Sequence, residues 1–143
     1  MEETIYSNEL LTNTGSNYFK IEARNNENFI RVMWIGFINI ERAKNGINEE
    51  VAAMEKTGRS NFLVDNRAQI GPFPRQVNQW AQEVMIPKIN ALGGARFAQI
   101  LSKNVFTEIS AKSMEKNEDI NNREIVSIAN FENEEDALEW LNS

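Results

Sequence analysis

Asp65 is the acid that its neighbours place best for chemistry. It closes the apolar run Phe62 to Val64 within NFLVDNRAQIGPFP, Asn61 to Pro74, where a short strand hands the chain to a loop and then to a helix. In folds wound from such units, ligands and partners meet the protein beyond the carboxyl ends of the strands. A carboxylate there is a general base or metal ligand in one reading, and the cap of the following turn in the other. Arg67 and Arg75 flank the loop, and Lys103 with Asn104 follows the next apolar run. If those strands are neighbours, the basic side chains converge at a helix amino terminus and hold an anion; otherwise they are solvated surface charge. The loop itself contains no serine, threonine, cysteine or histidine and no glycine-rich phosphate cradle, so it offers neither a nucleophile nor a nucleotide fingerprint.

The rest of the chain narrows the chemistry further. With no cysteine and no histidine, disulfide frameworks, thiolate metal sites and the commonest neutral general base are absent. Glu132, Glu134, Glu135 and Asp136 lack the alternating ligands and central glycine of a calcium loop, and acids in a first helical turn answer to the helix dipole. No metal or cofactor is expected. The net charge of −6 is concentrated at the end of the chain, where residues 115–143 carry nine acids against Lys116 and Arg123. The remaining bases form no stripe that tracks a phosphate backbone, so nucleic acid is not an expected partner.

The elements that must position these residues follow from periodicity. A chain of 143 residues with 41% hydrophobic and 25% charged residues suits one globular domain. Residues 18–24 alternate as a strand wet on one face, and residues 29–35 complete a hairpin with them. Asn39 caps a helix reaching Thr57, with Ala43, Ile47, Val51 and Met54 at helical spacing and Gly58 as its stop. The strand Phe62 to Val64 and the loop lead to a helix with Pro74 at its first turn and Val77, Trp80, Ala81, Val84 and Lys88 as its stripe. Pro87 is expected to interrupt it after Glu83. Residues 95–101 read as a strand, 105–115 as a short helix, 116–122 as a loop and 124–131 as a last strand. Asn133 then caps a terminal helix, with Asp136 completing the cap. The order strand, strand, helix, strand, helix, strand, helix, strand, helix predicts an α/β sandwich: a mixed five-stranded sheet packed against helices over residues 18–143. Residues 1–17 stand outside it, as an extra element or a flexible segment. They lack a secretory signal, and no run reaches the length of a membrane span, so the expectation is a cytoplasmic protein without an integral span.

The succession NFIRVMWIGFI, NFLVDNR, PFPRQVNQWAQEVMIP, GGARFAQIL and IANFENEEDALEWL resembles the small bacterial SpoIIAA-like proteins, relatives of the STAS (sulfate transporter and anti-sigma-factor antagonist) domain. The resemblance covers about Tyr18 to Leu141 and rests most on MWIGF, the LVD strand end and the ALEWL helix. It implies a STAS-like fold and a regulatory module. Family switches carry a phosphorylated serine at the start of the helix after the central strand, where the helix terminus stabilises the phosphate. Here Asn66 to Pro74 contains no hydroxyl, so that switch does not carry over.

The expected function is therefore binding without catalysis, to a protein partner through Asn66 to Phe73 and the outer side of the Trp80 helix. Phe73, between two prolines, either joins Ile70 and Met85 in an exposed patch or folds back over the sheet end. Met85, Ile86 and Ile89 fall outside the narrow stripe and are expected to form a homodimer surface. Two further readings stay open. One is a carrier of a lipid or another apolar or anionic small ligand, in a pocket between the Trp80 helix and Val105 to Met114. The other is an enzyme using Asp65 with Arg67 or Lys103.

Overall fold

The computed structural model describes residues 2–108 and 125–143. In chain order its elements are β1 (Thr4–Leu11), β2 (Asn17–Arg24), β3 (Ile30–Trp34), β4 (Gly36–Phe37), α1 (Ile40–Thr57), β5 (Phe62–Asp65), β6 (Gln69–Ile70), a 3₁₀ turn (Arg75–Val77), α2 (Asn78–Ala91), β7 (Ala95–Ile100), a helical run over 103–108 (α3), β8 (Val126–Phe131) and α4 (Glu134–Leu141). The main sheet runs β1-β2-β3-β5-β7-β8, and β4 pairs with β6 in a separate two-stranded ladder. β1, β2 and β3 are mutually antiparallel, while β3, β5, β7 and β8 are parallel.

The α/β class stands, but among the described residues the main sheet has six strands and not five. The added strand is β1, which lies in the first 17 residues and pairs with β2 from Thr4 opposite Arg24 to Leu11 opposite Asn17. Its sequence TIYSNELL has no clear two-residue alternation, and most of it is exposed. Pairing with β2 and the packing of Tyr6 and Leu10 against the core hold it, and those are tertiary effects. The helix ends follow their local chemistry. Asn39 Oδ1 accepts from Arg42 N at 2.8 Å and Asn133 Oδ1 from Asp136 N at 2.8 Å, while Gly58 closes α1 at φ 72° with its N–H on Met54 O. The expected helix at 105–115 begins earlier, at residue 103, and its residues from 109 onward lie outside the described residues, as does the expected loop 116–122.

From β3 onward each parallel strand lies beside the last, so right-handed crossovers stack successive helices on one face. There α1 packs on β1, β2 and α2, over a core of Phe19, Ile21, Val32, Trp34, Phe62, Val64 and Met54. The opposite face carries α4 over β5, β7 and β8, with Leu63, Ala98, Ile100, Ala137 and Leu141 between them. Each fully buried Phe or Ile contributes about 1.5–3 kcal/mol.

The surface expected to join two copies is corrected by this packing. Met85 and Ile89 are only 8% and 2% exposed and belong to the main core, with Ile86 half-buried beside them. Trp80, Ala81 and Val84 of the expected stripe pack against this core with the buried Val77, and the buried side widens to take in Met85 and Ile89, while Ala91 and Leu92 turn outward. α2 also spans Asn78–Ala91 with Pro87 inside it, so the expected interruption after Glu83 does not divide it.

Two buried positions on α1 generate measurements. Gly46 faces Trp34 so closely that an added Cβ would lie 2.7 Å from Cζ3 of the indole and 2.9 Å from Cδ1 of Phe19. Gly46→Ala is expected to destabilise the fold by about 1–3 kcal/mol through overpacking, despite the gain in helix propensity, as read by urea unfolding. Glu50 is buried, and burial pushes its carboxyl up from 4.5 to about 8. The folded state thus keeps a proton that the unfolded chain has released. This contribution is complete below the unfolded value and is lost as pH rises through the folded one. The melting temperature of the native chain is expected to fall between about pH 5 and about pH 8, and that fall should flatten in Glu50→Gln.

Candidate functional site

The carboxyl ends of β3 and β5 diverge from the main sheet and meet again as the β4–β6 ladder. Gly36, at φ 75°, turns the chain out of β3 and donates its N–H to Ala68 O at 2.9 Å. Gly36 then lies opposite Gln69 and Phe37 opposite Ile70. Side chains fasten the loop from within: Asn66 Nδ2 donates to Gln69 Oε1 at 2.9 Å, and Gln69 Nε2 donates to Gly71 O at 3.0 Å. Phe37 and Ile70 are left 59% and 67% exposed as a cross-strand apolar pair, and Ile40 at the start of α1 is 43% exposed.

Asp65 is committed to Arg67. The guanidinium donates from Nε to Oδ1 at 3.0 Å and from Nη2 to Oδ2 at 2.8 Å, while the Arg67 backbone N–H donates to Oδ1 at 3.0 Å. Burial alone would raise this carboxyl, but the side-chain and backbone hydrogen bonds and the positive charge of Arg67 together outweigh it and hold the group below its ordinary value. The carboxylate caps its turn and is a weaker base than a free one. Glu134, at the start of α4, approaches the same end of the sheet with an oxygen 3.7 Å from Arg31 Nη1.

The other expected site residues divide. Asn66 and Ile70 share the loop with Asp65 and Arg67. Phe73 folds back under it, half-buried and edge-on to Trp34 at 5.0 Å between ring centroids, so it belongs to the core and not to an exposed patch with Ile70. Met85, the third member expected in that patch, is buried. Arg75 opens the 3₁₀ turn, and Lys103 and Asn104 open α3; all three are exposed, and no contact among the described residues joins Arg67 to Arg75 or Lys103. Arg67, the one cation of the expected anion site with fixed geometry, is occupied by Asp65. Among the described residues no group of three acids is arranged to hold a metal, and no helix is long and apolar enough to cross a membrane.

Phe37 is the member that sequence reasoning missed. Two residues of strand carry no periodicity, and only the strand-ending glycine before it hinted at a turn. Two hollows lie elsewhere. One, of about 550 Å³, lies on the sheet face that α4 leaves open, with Lys20, Glu22, Arg24, Arg31 and Asp65 around it. The other, of about 570 Å³, lies between the Asn25 to Phe29 turn and Leu138 and Asn142 of the α4 end. No protein-family model matches the chain, and no curated protein matches it.

The charge balance at Asp65 is directly measurable. In Arg67→Met the raising effect of burial is left without its counterweights, so the Asp65 carboxyl should titrate at higher pH than in the native chain. Carbon-detected NMR of the side-chain carboxyls reads this shift, and an unmoved Asp65 would show that Arg67 does not set its charge.

Proposed function

We propose that this chain is a STAS-like binding module that works by contact with a protein partner and without catalysis, lacking the phosphoserine switch of the SpoIIAA-like proteins it resembles. The observation that carries this reading is the Phe37–Ile70 pair, two large apolar side chains held outward on a ladder at the carboxyl ends of parallel strands. A soluble surface gains nothing from adjacent exposed apolar groups on a fastened loop, and such pairs mark contact surfaces. The locked Asp65–Arg67 pair supports the same reading, because it gives the strand end a fixed, neutralised polar rim and not a base free to accept a proton. The absence of any hydroxyl from Asn66 to Pro74 removes the residue that a phosphate would modify. The partner's identity is a separate matter from the surface it meets. The pocket of the alternative carrier reading, between the Trp80 helix and Val105 to Met114, lies partly outside the described residues.

Phe37→Glu and Ile70→Glu test the surface. Both positions are exposed, so stability should change by less than about 0.5 kcal/mol. Quantitative crosslinking and capture in the source cells should show a protein held by the native chain and reduced about tenfold or more by either variant, with a distant surface variant such as Lys56→Glu as control. Equal capture by all four chains would overturn the assignment.

A further inference from the structure

The β4–β6 ladder offers a partner side chains and not a strand edge. With Gly36 N bonded to Ala68 O, the register turns the backbone of Phe37 to the outer side of β4 and that of Gln69 and Gly71 to the outer side of β6. There Phe37 O accepts from Arg42 Nη1 at 2.9 Å, Gln69 N donates to Asn66 O at 3.2 Å, and Gly71 O accepts from Gln69 Nε2 at 3.0 Å. These groups are spent within the chain, so an extended peptide finds few of the donors and acceptors that strand addition needs.

Phe37 and Ile70 stand directly opposite, so their side chains share one face about 5 Å apart. Residues i and i+4 of a helix are spaced by about the same distance. A helix laid along this face therefore meets the pair with two apolar side chains of consecutive turns. The border of the face is basic. Arg42 is fixed there by its bond to Phe37 O. The 3₁₀ turn that opens with Arg75 packs on the same helix α1, where Lys44 stands 5.3 Å from the Trp80 ring centroid. Among the described residues, Arg42, Lys44 and Arg75 form no ion pair with a carboxylate. Glu41 is the acid beside them, Asp65 is neutralised by Arg67, and Glu134 lies on the α4 side against Arg31. Arg42, Lys44, Arg67 and Arg75 thus stand against Glu41 and Asp65, in a chain whose net charge is −6. That local excess of positive charge complements an acidic partner.

Resting on the reading of this surface as the contact site, we propose that it takes an acidic amphipathic helix of the partner protein. Two apolar residues one turn apart seat on Phe37 and Ile70, and carboxylates on the flanks of that helix face Arg42 and Arg75. Charge of one sign at the border of an apolar pair steers the encounter and fixes the register of the helix, while the apolar contact supplies the affinity.

A benzophenone amino acid placed at residue 70 of the full chain, in the source cells, captures what seats on this face, and mass spectrometry sequences the captured peptide. A segment with apolar residues four apart and an excess of Asp and Glu is expected. Arg42→Glu and Arg75→Glu should each lower its yield about tenfold, with Lys56→Glu as control. Arg75 is exposed, so its variant keeps the test open should Arg42→Glu fail to fold by circular dichroism. A synthetic copy of the captured segment should bind the purified chain, gain helical circular dichroism on binding, and bind less tightly as salt is added. No capture, or capture unchanged by Phe37→Glu, removes the contact surface itself and the acidic helix with it. Capture lost in Phe37→Glu but undiminished in the folded arginine variants, or a captured segment that is basic or stays non-helical, leaves the surface standing and overturns the acidic helix alone. Sedimentation of the chain with phosphatidylglycerol vesicles, reduced by Arg42→Glu, would overturn it in favour of a membrane surface.

Discussion

The close approach of α1 to β3 at Gly46 is the constraint on which the rest of the molecule hangs. Trp34 fills the space that a side chain at residue 46 would occupy, and its ring meets Phe19 edge-on at 4.7 Å and Phe73 at 5.0 Å. One indole therefore joins the antiparallel half of the sheet, the first crossover helix and the loop that leads into α2. Because Phe73 is seated on Trp34, the chain between Asp65 and the 3₁₀ turn is anchored at both ends. That anchoring gives the β4–β6 ladder a fixed base and lets Phe37 and Ile70 stand outward without collapsing onto the core.

The two faces of the sheet are covered unequally, and chain order explains why. Crossovers that step the same way lay α1 and α2 on one side, and the last helix, after the final strand, reaches the other. α4 is pinned there by Phe131 and Trp140, whose rings lie 5.8 Å apart, and by Arg96, which sits over the Trp140 ring and donates to Trp140 O at 2.8 Å. It covers β5, β7 and β8 and leaves the β1, β2 and β3 side open. The open part carries charge in place of apolar side chains: Arg31 is clasped by Glu27, and Arg24 by Glu22. An antiparallel sheet tolerates water on one face, and these pairs suit that exposure while adding little stability.

Much of this was legible because local chemistry and tertiary packing agree. Asn39, Gly58 and Asn133 end helices through backbone groups within four residues, so their signals lie in the sequence itself. Strands with one wet face, such as Asn17–Arg24, show their alternation directly. β1 was not legible, because its partner and not its composition makes it a strand. The stripe of α2 was read too narrowly: Trp80, Ala81 and Val84 do meet the core, but Met85 and Ile89, on the edge of that stripe, are buried as well because the helix sinks deeper than one line of contact. At the site, the turn-capping alternative for Asp65 was visible from its place at a strand end. The bond to Arg67 was not, because an arginine two residues on can as well point to solvent. Phe73 posed an even choice in sequence, settled only by the position of Trp34.

Asp65 and Asn66, adjacent at the strand end, are two kinds of polar group. At Asp65, every strong interaction is completed inside the chain: two guanidinium bonds and a backbone bond satisfy the carboxylate, and the result is a rigid support. At Asn66, one residue away, the side chain is half-spent, with its nitrogen holding the loop and its oxygen unmatched. The two side chains thus fasten one loop from both sides, Asp65 to Arg67 and Asn66 to Gln69, and the ladder that carries Phe37 and Ile70 is rigid because both bonds close within a few residues.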